Sequence, residues 1–84
     1  MLTTGNQLKA ARALAGLDQG ELARRAGVNI NTIGAMEKRG PEMLTSGLDK
    51  ITVVMRALEE AGVEFLNHGQ PGVRLKAPGS AEQV

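Results

Sequence analysis

Residues 16–40 read GLDQGELARRAGVNINTIGAMEKRG, two short helical patterns hinged at a glycine. Asp18 stands where an N-cap belongs, and Glu21 three residues on completes a capping-box-like pattern. The first pattern stops at Gly27, a residue suited to the left-handed C-cap because it has no Cβ. Asn29 can cap a second pattern that runs to about Lys38. Ile33 and Met36 fall at helical spacing and can face a core, while Leu22, Val28 and Ile33 fill the joint. Ala23 is small where the two helices must approach. Two helices joined at Gly27-Val28-Asn29 form a helix-turn-helix element, a rigid unit that can present its second helix to a DNA major groove.

The other side of that second helix is unusual. It carries Asn31, Gly34 and Ala35, small and weakly polar, and then Lys38 and Arg39. A merely solvated face usually carries Glu, Lys or Gln, which are soluble and good helix formers. Gly34 costs about 1 kcal/mol of helix propensity, and it leaves room for another surface to come close.

Outward from this unit, Asn6 to Ala15 is an Ala- and Leu-rich helix ending at Gly16. After Gly40-Pro41 breaks the chain, residues 46–61 form the longest helical stretch. There Leu48, Ile51, Met55 and Leu58 make one apolar stripe, read as core with a dimer seam as the alternative. Beyond Gly62 the period changes: VEFL, the turn-rich NHGQPG and VRLK read as a β-hairpin. The tail APGSAEQV has no core-forming pattern and is expected to fray. The expected fold is therefore mostly α, a bundle of about four helices with a C-terminal β-hairpin. Residues 1–62 form the helix-turn-helix domain, 63–76 the hairpin, and 77–84 the tail.

Composition narrows the classes. At 84 residues the chain builds one modest core. It has no cysteine, which excludes disulfides and Cys-based zinc sites and suits a reducing cytoplasm. One Phe with no Trp or Tyr leaves little for stacking on single-stranded bases. No uncharged apolar run approaches the ~20 residues a bilayer demands, and the N-terminus lacks the charged-then-apolar order of a secretory signal. The net charge of +1 is uneven. Residues 1–41 hold six cations against three carboxylates, and residues 42–84 four against six. A basic half hints at a polyanion partner.

The 16–40 stretch resembles the helix-turn-helix of the lambda-repressor-like, Cro-type XRE family of DNA-binding regulators. The likeness spans about Asn6 to Leu58, with Gln19, Leu22-Ala23, Gly27, Ile33 and Glu37 as its ordered signature. It implies that Gln19 touches a phosphate and braces the recognition helix. It implies that Asn29, Ile30, Asn31, Thr32 and Ala35 read bases or phosphates, and that Lys38, Arg39 and the Gly40 backbone grip flanking phosphates. It also implies a structural pair between Arg12 and Glu37. Many relatives carry Arg, Gln or Lys among the reading positions, whereas this chain has one clear polar reader, so dimer spacing and DNA shape gain weight. Many relatives also end in a further helix where this chain has a hairpin. Arg24 and Arg25 fit either phosphate contacts or solvated helix charges.

Enzyme readings find little support. His68, the single histidine, lies in a turn-like segment with no second ligand at metal spacing. Glu59 and Glu60 are adjacent, so they diverge on a helix and form no carboxylate dyad. No Walker-type phosphate loop occurs. The expectation is a regulator of transcription that binds double-stranded DNA, without catalytic residues, metal or cofactor. A hairpin too small to stand alone, with a free edge, favours a homodimer. The alternative is an antitoxin-like or adaptor protein whose main partner is another protein.

Overall fold

Each of the first three helices opens on a residue whose side chain takes up an otherwise free backbone N–H. Thr4 Oγ1 accepts from Gln7 N at 3.1 Å ahead of α1 (Gly5–Ala15). Asp18 Oδ1 accepts from Glu21 N at 2.7 Å ahead of α2 (Gln19–Ala26). Asn29 Oδ1 accepts from Asn31 N at 2.8 Å ahead of α3 (Ile30–Glu37). Such caps are worth about 1 kcal/mol each. The capping box is only half formed, because the Glu21 carboxylate faces Arg24 and Arg25. Gly16 and Gly27 close α1 and α2 in the left-handed region, both at φ 73°. The fourth helix, α4 (Leu48–Glu60), starts at Gly47 with no side-chain cap.

This computed structural model describes residues 1–66 and 71–76. The expected turn around His68 and the tail from 77 to 84 lie outside the described residues. After α4 the chain forms β1 (Val63–Leu66) and β2 (Gly72–Leu75), an antiparallel pair in which Val63 faces Leu75 and Glu64 faces Arg74. Among the described residues the architecture is thus mostly helical, four helices and a C-terminal hairpin. Among the described residues no helix is long and apolar enough to cross a membrane.

One core serves all six elements. Leu8 and Ala11 of α1, Leu22 and Ala23 of α2, Ile33 and Met36 of α3, and Val54, Ala57 and Leu58 of α4 are buried together with Val63 of β1. Burying a Leu, Ile, Val or Met side chain stabilises by about 1.5–3 kcal/mol. The hairpin packs on α1 and on α4, with Phe65 and Val73 against the core. The predicted α4 stripe is rotated. Leu58 is buried, Ile51 and Met55 are half-buried, but Leu48 is 66% exposed. Val54 and Ala57 take the inner face instead. Leu48 lies in the first turn, outside the bundle, and 51-54-58 satisfies the helical period as well as 51-55-58 does.

Before α1, the chain is pinned rather than loose. Leu2 is buried in the core, and Thr3 accepts from Leu44 N at 2.8 Å through its carbonyl oxygen. Gln7, itself buried, completes the pinning. Its Oε1 accepts from Thr3 N at 2.6 Å, and its Nε2 donates to the Gly72 carbonyl at 3.0 Å. A buried amide satisfied in this way costs little, while an unpaired one costs about 1–3 kcal/mol.

Candidate functional site

The α2–α3 joint has the form expected of a rigid unit. Leu22 and Ile33 are fully buried, Ala23 nearly so, and Val28 packs against the core. The Val28 N–H returns to the Ala23 carbonyl at 3.0 Å, so the turn is hydrogen-bonded to the helix before it. Ile33 and Met36 anchor one side of α3, which turns the other side outward.

That outward side borders an open groove of about 710 Å³. Ile30, Asn31, Gly34 and Ala35 supply its α3 wall, Lys38 its end, and Gln19 of α2 and Lys9 of α1 the remainder, with Glu37 also lining it. Ile30 is 48% exposed. Asn31, Ala35 and Lys38 are exposed too. No internal packing requires a glycine at position 34: an added Cβ would meet only Gln19 Oε1, at 3.9 Å.

Beneath the groove, Glu37 gathers three donors. Arg12 reaches it side-on, with Nε at 2.7 Å from Oε2 and Nη2 at 3.2 Å from Oε1. Gln19 Nε2 donates to Oε1 at 3.1 Å. The third guanidinium nitrogen, Arg12 Nη1, donates to the Leu17 carbonyl at 3.0 Å. The Arg12 and Glu37 side chains are only 18% and 7% exposed. The Glu37 hydrogen bonds hold the Arg12 guanidinium above its ordinary pKa, outweighing the opposite pull of burial. This charge-assisted, bidentate geometry ties α1 and α2 to the C-terminal end of α3 and fixes the orientation of its outer face. The expected Arg12–Glu37 pair is present, and Gln19 braces α3 through the same carboxylate.

Other predicted site residues are engaged elsewhere. Asn29 spends its side-chain oxygen on the α3 cap. Thr32 is half-buried and does not line the groove. Arg39 turns to the loop, donating to the Met43 carbonyl at 3.0 Å and approaching Glu42 at 3.3 Å. Arg24 and Arg25 both pair with Glu21 on the exposed side of α2.

Compared with known proteins, the chain matches no family model and no curated protein. Function must be read from the site.

Charge gives the groove its character. Arg12 and Glu37 cancel each other, so the uncompensated charges are the ammonium groups of Lys9 and Lys38. Both are exposed, and neither has an ion-pair partner among the described residues. Sequence reasoning singled out Lys38 and passed over Lys9. The missing signal was in reach: Lys9 stands three residues before Arg12 on one helix face. If Arg12 meets the end of α3, Lys9 must lie nearby.

Proposed function

We propose that the chain is a sequence-specific regulator of transcription that binds double-stranded DNA, of the lambda-repressor-like, Cro-type kind its sequence resembles. The outer face of α3 enters the major groove. Asn31 reads an adenine edge, Ile30 and Ala35 lie against thymine methyls, and Lys38 holds a phosphate. Gln19 and the Arg12–Glu37 pair set the pitch of α3, and Arg39 supports the loop after it. The protein acts in the cytoplasm as a homodimer on two half-sites. The observation that carries this reading is the bare, outward face of α3 bordering an open groove whose uncompensated charges are positive.

The test is a titration of preferred and scrambled duplexes at several salt concentrations. Asn31→Ala weakens the preferred site by about 1–3 kcal/mol and leaves scrambled DNA little changed. Lys38→Ala weakens both alike and lowers the salt slope by about one unit. Equal loss on both duplexes for Asn31→Ala would remove base reading from α3.

A second reading, an antitoxin-like or adaptor protein, draws support from the 69% exposed Met43 and the 66% exposed Leu48 around the loop that precedes α4. A stoichiometric unlike protein on purification, together with no measurable affinity for duplex DNA, would favour it.

A further inference from the structure

We infer that Lys9 of α1 is a second phosphate-contacting cation of the same groove, so that α1 as well as α3 grips the duplex backbone; this rests on the DNA-binding reading above. Lys9 of α1 and Lys38, the residue that closes α3, line one open concavity. The carboxylate that also lines it, Glu37, is already offset by the guanidinium of Arg12, which meets it side-on, so the two ammonium groups set the net charge of the concavity.

Two like charges on one concave surface add their fields, and that sum draws an extended polyanion more strongly than a single cation does. A duplex suits this arrangement because it carries phosphates on both flanks of the groove that receives α3. Lys9 is exposed on a long, flexible stem, so it can follow a phosphate without rearranging the core. It reads no base, and its contribution is independent of sequence. The placement of Lys9 is inherited from Arg12. One turn further along α1, the Arg12–Glu37 bond fixes how α1 lies against α3.

The experiment measures the affinity of the full chain for a preferred and a scrambled duplex across a salt series. Lys9→Ala, Lys9→Arg and Lys38→Ala are compared with Lys50→Ala, an exposed α4 lysine outside the groove that changes net charge equally. The expected result is a salt slope about one unit shallower for Lys9→Ala, roughly 0.9 per lost phosphate contact, with both duplexes weakened by the same factor. Lys9→Arg keeps the wild-type slope, and Lys50→Ala leaves it unchanged.

Two results overturn the inference while leaving the DNA reading intact. One is a wild-type slope for Lys9→Ala when Lys38→Ala lowers it. The other is an equal loss for Lys9→Ala and Lys50→Ala, which marks a general charge effect. Failure of the unaltered chain to bind any duplex overturns the DNA reading itself, and this inference with it. Thermal melting checks that each variant is folded.

Discussion

Gly5 presents its Cα so directly to the Met36 carbonyl that a methyl group there would come within 2.5 Å of the oxygen. The same methyl would stand 2.7 Å from Gly40 N and 2.9 Å from the Glu37 carbonyl oxygen. All three are backbone atoms, so no side chain can swing aside. The start of α1 therefore sits on the end of α3, and Asn6 N donates to the Gly40 carbonyl at 2.8 Å. Gly5→Ala should destabilise the fold by about 1–3 kcal/mol or more, the cost of overpacking. Gly20→Ala is the matched control. Its Cβ would meet Asp18 Oδ1 at 3.4 Å and Ile30 Cδ1 at 3.7 Å, ordinary contacts, so urea melts should show no loss.

Arg12 and Glu37 should behave as one unit. Removing either alone strands the other in a poorly solvated place, a loss approaching the about 3 kcal/mol seen when buried pairs are broken. A double-mutant cycle with Arg12→Met and Glu37→Gln should give a coupling above about 0.5 kcal/mol. Additive effects would mean that the two charges act separately.

Acid should weaken the exposed side of α2. Hydrogen bonds from Arg24 and then Arg25 hold the Glu21 carboxyl at about 2, below its ordinary 4.5. Between those values the unfolded chain binds the extra proton, so stability rises with pH. The Glu21 contribution is whole above about pH 4.5 and is lost as pH falls toward 2. Because the site is open to solvent, salt should shrink it. Urea midpoints of the natural chain and Glu21→Gln, compared from pH 6 down to 2.5 at low and high salt, should converge at the acid end.

Gly34→Ala should separate stability from binding. The added methyl finds 3.9 Å of clearance to Gln19 Oε1, and the helix gains up to about 1 kcal/mol of propensity. Thermal unfolding should therefore move up. If α3 lies in the major groove, the same methyl intrudes between helix and base edges, and duplex affinity should fall. A variant more stable and equally tight would show that nothing approaches α3 closely at that point.

The helices were legible because their signals are local. Asp18, Asn29, Gly16 and Gly27 mark ends through hydrogen bonds and backbone angles that involve neighbours within four residues. The orientation of α4 was not, since Leu48-Ile51-Met55 and Ile51-Val54-Leu58 share one period and only the surrounding bundle chooses between them. Gly5 and Gln7 escaped notice for a related reason: each answers to atoms more than thirty residues away. Within the candidate site, the face of α3 could be read from its bareness. The loop contacts of Arg39 could not, because the Met43 carbonyl and Glu42 belong to a loop whose path no periodicity encodes. Lys9 required joining the expected Arg12–Glu37 pair to the helical period, which sets Lys9 on the same face three residues earlier.

The bond from Gln7 to Gly72 joins residues 65 positions apart. Its consequence lies in the order of events when the chain folds. Thr4 can cap α1, and α2 and α3 can pair, as soon as those residues exist. The Gln7–Gly72 bond closes only after β2 has arrived, and loops that long close slowly relative to the turn between α2 and α3. Early in synthesis the outer face of α3 can thus be assembled while the Gln7–Gly72 bond still waits, and damage to β2 reaches the first helix through that side chain.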